Sequence, residues 1–145
     1  MPSDVGTTVR STWWTWSGRL AGLLDGFDEV LAPLAVGEPA HVDHRLVRQA
    51  AAAAWRPRRP RRRPALRLYE DAPYIGRDVR DAVSATAGLR LAESAIDLEA
   101  KLTLVRGYAS QPIESWEPLI RRTAGDPPAE RTWSVDKPEA LDDLE

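Results

Sequence analysis

Cysteine is absent from the 145 residues. Disulfides and thiolate ligands are therefore excluded, and any bound metal has to rest on histidine, aspartate or glutamate. The same absence fits a reducing compartment, and a cytoplasmic location is expected. Histidine is scarce, with two copies, fewer than a closed zinc site draws on even with an aspartate added. No apolar run approaches a membrane span, and the N-terminus has no continuous apolar core of the signal-peptide kind, so no membrane partner is expected. The glycines are scattered. No Gly-x-Gly-x-x-Gly or Gly-Lys-Ser/Thr element follows a candidate strand, and no Gly-x-Ser-x-Gly elbow occurs, so neither a phosphate-cradling loop nor a serine triad has support. The formal net charge of -2 gives no global attraction to nucleic acid.

What is present suffices for one domain with a real core, but not for two. Hydrophobic content of 43% and charged content of 29% are ordinary for a globular protein, while 12 prolines and 9 glycines imply many loops. Trp13, Trp16, Leu20, Leu23, Leu24 and Phe27 recur at spacings of three and four, which draws one apolar stripe on a helix with Ser11 as cap and Gly26 as stop. Trp13, Trp14 and Trp16 read as core or interface packing, since large aromatics at helical spacing bury area. Phe27 to Ala32 reads as a short buried strand ended by Pro33.

Both histidines of the chain flank one aspartate in His41-Val42-Asp43-His44. A helix beginning near Val42 brings His41 and His44 to neighbouring places at its N-terminal end. Neutral imidazole is a common zinc ligand, and a nearby carboxylate can accept the other ring N–H to set its direction. The competing reading makes Asp43 a helix cap and the histidines ordinary surface side chains. Along the helix, Val42, Leu46, Val47, Ala50 and Ala54 form the apolar face, with Arg45, Arg48 and Gln49 opposite.

Residues 56–64 hold six arginines and three prolines without one apolar residue. This run reads as an extended, solvated insertion. Ala65 to Tyr69 then alternates as a strand, and Glu70 and Asp71 emerge at its end. Val79, Ala82, Val83 and Thr86 suggest a short helix stopped by Gly88. Another strand falls at Leu89 to Leu91 or around Ala95 and Ile96. Asp97 caps a helix carrying Leu98, Leu102, Val105 and Ala109. Trp116, Leu119 and Ile120 mark a last short helix with Pro118 in its first turn.

Several segments taken in order resemble one family. They are Asp28-Glu29-Val30-Leu31-Ala32-Pro33-Leu34, His41-Val42-Asp43-His44-Arg45, Tyr69-Glu70-Asp71-Ala72-Pro73-Tyr74, Glu99-Ala100-Lys101-Leu102 and Tyr108-Ala109-Ser110-Gln111. Together, from Phe27 to Trp116, they look like the second half of a PIG-L/LmbE-type deacetylase. Members of that family are zinc-dependent hydrolases that remove acetyl groups from N-acetylglucosamine-like amides. The resemblance implies an α/β fold, a partial Rossmann-like domain with a few mostly parallel strands and flanking helices over residues 1–125. An acidic, proline-containing tail over 126–145 is expected to be disordered apart from what Trp133 and Val135 pack against.

The resemblance further implies zinc as cofactor, with His44 as ligand. His41 would stabilise the oxyanion or protonate the leaving amine, and Asp43 would orient His41. Glu70, Asp71 and Tyr74 would wall the substrate cleft, where carboxylates can hold sugar hydroxyls or an amine; a turn with a solvated acidic pair is the alternative. One departure stands out. The family's His-Pro-Asp-Asp element, which supplies two zinc ligands and the base, has no counterpart here. Three expectations follow: a deacetylase of an N-acetylated amino-sugar conjugate completed by another polypeptide or by self-association, a non-catalytic remnant or interaction module, and an arginine-mediated nucleic-acid binder using Arg58, Arg59, Arg61, Arg62 and Arg63.

Overall fold

Leu66 and Leu68 alternate with Arg67 and Tyr69, and the segment forms strand β2 (Ala65–Tyr69) with the two leucines buried. β1 (Glu29–Pro33) lies parallel beside it and pairs Val30 with Leu66 and Ala32 with Leu68. The chain crosses from one to the other through helix α2 (Val42–Trp55), and helix α1 (residues 18–24) precedes β1. This computed structural model describes residues 18–37, 41–71, 75–108 and 113–144. After β2 come α3 (Arg77–Ser84), β3 (Leu89–Ala95), α4 (Leu98–Arg106), α5 (Ile113–Ala124) and β4 (Ala129–Val135), then a short 3-10 helix at Pro138–Leu141.

The protein is thus mixed α/β, with strand order β1-β2-β4-β3. Only β1 and β2 run parallel; β4 is antiparallel to both of its neighbours. A mostly parallel sheet was the expectation, and the difference traces to residues 126–145. They do not form a disordered tail. Arg131, Trp133 and Val135 alternate with Glu130, Thr132 and Ser134, and that period of two slots β4 between β2 and β3. Acidic, proline-containing composition averaged over the segment concealed a seven-residue strand. Trp133 is 1% exposed and packs with Ala32, Leu66, Leu68, Val135, Leu141 and Leu144 on one face of the sheet. Burying a side chain of that size stabilises by about 3 kcal/mol.

Against the same face lie Ala52, Ala54 and Trp55 of α2 and Val83 of α3. α2 is rotated from its expected setting. Val42 and Val47 are more than half exposed, Leu46 is also exposed, and Arg48 is buried. The physical reason is hydrogen bonding: Arg48 Nη1 donates to the carbonyl oxygens of Leu34 and Ala35 at 2.8 and 3.3 Å. Small alanines one turn on let the helix approach the sheet. α1 divides similarly, with Leu24 buried while Leu23 stays open, and Phe27, beyond the end of the helix, is open as well. Ser11, Trp13, Trp14 and Trp16 lie outside the described residues.

The arginine-rich connection is folded rather than extended. Its prolines remove N–H donors, and guanidinium groups take up the carbonyls left over. Arg63 donates to the Arg56 and Arg58 carbonyls and stacks 4.4 Å over the Trp55 ring, whose N–H reaches Pro64 O. Arg58 bonds Asp25 and the Ala21 carbonyl, and Arg56 bonds Asp142. Arg59, Arg61 and Arg62 face solvent.

Elsewhere the local signals translate directly. Asp97 caps α4 by accepting the Ala100 N–H at 2.9 Å. Gly88 turns the chain into β3 with φ 96°, where an added Cβ would stand 2.8 Å from the Lys137 Cβ. The two candidate positions for the third strand are joined by the single strand β3, which ends at Ala95 and leaves Ile96 outside. Pro118 sits in the interior of α5, not its first turn, because the helix starts at Ile113. Among the described residues no helix is long and apolar enough to cross a membrane.

Candidate functional site

The second face of the sheet is left partly open. Leu31 of β1, Tyr69 of β2, and Glu130 and Thr132 of β4 border a cleft of about 1050 Å³, closed on the other side by α4 and α5 through Val105, Trp116 and Ile120. The start of α2 supplies its remaining wall, with His41, Asp43 and His44. These residues and Asp71 follow the C-terminal ends of the parallel pair β1 and β2, the place where open α/β sheets receive ligands.

His41 occupies the cap position of α2, and its Nδ1 accepts the Asp43 N–H at 3.3 Å. The ring is about half exposed, and its centroid is 5.5 Å from that of His44. The Asp43 carboxylate stands 3.6 Å from His41 Nδ1 and is mostly in solvent. The cap of this helix is therefore the histidine itself, and Asp43 contributes its backbone to the motif.

Glu70 and Asp71 group in the sequence as one segment of the cleft wall, but their carboxylates part company, and Glu70 is the one that turns away. Period-two alternation sends adjacent side chains to opposite faces, and the ladder continues past Tyr69 because the Glu70 N–H donates to Arg131 O. Glu70 goes to the core side. Its carboxylate takes a two-pronged bond from Arg80, at 2.9 and 2.6 Å, and the Trp133 indole N–H at 3.2 Å. Asp71 goes to the cleft side. Its Oδ2 accepts the Ala35 N–H at 2.8 Å, and its Oδ1 lies 3.1 Å from His44 Nδ1. Burial pushes the Asp71 carboxyl above its ordinary value, and the Ala35 N–H, His44 and Arg48 pull it back in part. Burial also raises Tyr69, with the charge of Asp71 as the second cause.

His41, Asp43, His44, Glu70 and Asp71 all border the cleft, although Glu70 directs its carboxylate inward to Arg80 and Trp133. Tyr74 lies outside the described residues. Tyr69, Thr132, Lys101 and Trp116 were not singled out as cleft residues from the sequence. For Tyr69 the alternation opposite Leu66 and Leu68 was a usable signal, whereas Thr132 joins only through the pairing of β2 with β4. Among the described residues no group of three or more His, Asp or Glu side chains is placed to hold a metal ion. Two imidazoles are the donors best suited to zinc here, a fraction of the three or four protein ligands such sites use.

No family model, curated protein or solved structure matches the chain.

Proposed function

We propose that this chain forms one wall of a metal-dependent amide-hydrolase site of PIG-L/LmbE type, on a partial Rossmann-like scaffold, completed by a second polypeptide and acting on an N-acetylated amino-sugar conjugate. The observation that supports this reading is the meeting of His41, His44 and the buried Asp71 at one cleft beyond the ends of β1 and β2. Zinc, when bound in such a site, supplies Lewis-acid polarisation of the amide carbonyl. His44 offers a ring nitrogen as donor. His41, half in solvent at the lip of the cleft, would hydrogen-bond the carbonyl oxygen or the leaving amine. Tyr69 and Thr132, paired across β2 and β4, set two hydroxyls along the floor for a polar substrate. The missing ligands and the general base fall to the second polypeptide. Leu31 in the cleft and Val42 beside His41, each 58% exposed, give that polypeptide apolar surface to cover.

Calorimetric titration of Zn²⁺ into the protein tests the reading. Weak binding near one equivalent is expected, lost in His44→Gln and reduced in His41→Gln. Absence of zinc binding at millimolar concentration, or binding indifferent to His44→Gln, would overturn it.

A further inference from the structure

Asp71 and His44 differ sharply in exposure, their side chains being 3% and 38% accessible. The two carboxylate oxygens have separate tasks. Oδ2 accepts the Ala35 N–H, and Oδ1 faces His44 Nδ1 at 3.1 Å. A carboxylate only accepts, and a neutral imidazole carries a single N–H. With the proton on Nδ1 the N–H lies within reach of Oδ1 at 3.1 Å, and a small turn of the ring completes a hydrogen bond that the present geometry falls short of. With the proton on Nε2, a ring lone pair would point at a buried carboxylate oxygen.

Arg48, one turn beyond His44 on α2, holds the carbonyls of Leu34 and Ala35. Ala35 has φ 47°, a left-handed conformation that is unfavourable for a non-glycine residue and persists where its surroundings hold it. Its N–H is thereby fixed on Asp71. Helix, loop and strand end close into a ring of contacts around one carboxylate.

We infer that Asp71 is a positioning residue that holds His44 in the Nδ1–H tautomer and presents Nε2 to the cleft as an electron-pair donor. The resemblance pairs Asp43 with His41, and that carboxylate is 74% exposed and lies 3.6 Å from His41 Nδ1, so His44 takes its orientation from elsewhere. The inference rests on the hydrolase reading only for the use made of Nε2. Second-shell carboxylates of this kind set the tautomer and direction of ligating histidines.

Long-range ¹H–¹⁵N correlation of the imidazole nitrogens tests it on the metal-free protein, at about pH 8, where an ordinary imidazole is neutral. His41→Gln assigns the two rings. Wild-type His44 is expected in the Nδ1–H form in at least tenfold excess. Asp71→Asn is expected to reverse the preference. The new amide must still turn its oxygen to the Ala35 N–H, so its NH₂ faces Nδ1 and makes that nitrogen an acceptor. A purely structural role for Asp71 would leave the tautomer alone. A smaller wild-type excess, or an unchanged tautomer in Asp71→Asn with a dispersed amide spectrum, overturns the inference. Should Asp71→Asn not fold, the wild-type ratio alone decides. No zinc is present, so failure of this test and failure of the hydrolase reading are distinguishable.

Discussion

Arg48 reaches from the middle of α2 to the carbonyl oxygen of Leu34 at 2.8 Å, with its side chain buried. A buried carbonyl stripped of its donor costs about 1–3 kcal/mol. Arg48 serves the carbonyls of both Leu34 and Ala35. Arg48→Ala should therefore destabilise by about 3 kcal/mol in urea unfolding, and Arg48→Lys by less, since an ammonium restores one charge but not the planar fork. A loss within about 0.5 kcal/mol for Arg48→Ala would show that the contact is dispensable.

Glu70, Arg80 and Trp133 form a second internal unit, and its effects should separate from those of the cleft. Glu70→Gln weakens the two-pronged bond to a half-buried Arg80 and should cost about 2–3 kcal/mol. Zinc affinity should stay within twofold of wild type. A change in zinc affinity with no loss of stability would place Glu70 in the binding site instead.

Helices α4 and α5 are joined by exposed ion pairs in which Glu117 receives Arg106 and Arg121, and Glu99 receives Arg121. Hydrogen bonds from Arg106 to Glu117 and from Arg121 to Glu99 hold both carboxyls below their ordinary value of 4.5. A carboxyl lowered by folding contributes stability that is complete above the unfolded value and is lost as pH falls through the folded one. The melting temperature should drop more steeply below pH 4.5 in dilute buffer than in about 0.5 M salt. Glu117→Gln should remove most of that difference. An equal slope in the two buffers would count against the pairs.

The rotation of α2 can be read from substitutions on its two sides. Val42→Ser and Val47→Ser lie on the exposed side and should each cost less than about 0.5 kcal/mol. Ala54→Leu forces three extra carbons into a position 1% exposed and should cost about 1–3 kcal/mol. Ala54 is inward in either setting of the helix, so the valines decide: a cost of about 1–3 kcal/mol for each Val→Ser change would restore the expected orientation.

Much of the cleft's α2 wall was legible in the sequence, because His41, Asp43 and His44 are neighbours in the chain and a helix start fixes their mutual placement. Their partner was not. Asp71 reads in the sequence together with Glu70, as cleft wall or as a solvated acidic pair, yet alternation separates the two carboxylates, and each meets residues far away in sequence. Asp71 and Ala35 are 36 positions apart, and Glu70 and Trp133 are 63 apart.

Local pattern alone sufficed for the strand Ala65–Tyr69, the helix that follows His41, the Asp97 cap and the turn at Gly88, since each depends on steric and hydrogen-bonding preferences within a few residues. Tertiary structure decided the insertion of β4 between β2 and β3, the burial of Arg48 in place of Val42 and Val47, and the pairing of Asp71 with His44. Those outcomes depend on which distant carbonyl, indole or imidazole occupies the other side of the contact, and no local periodicity carries that information.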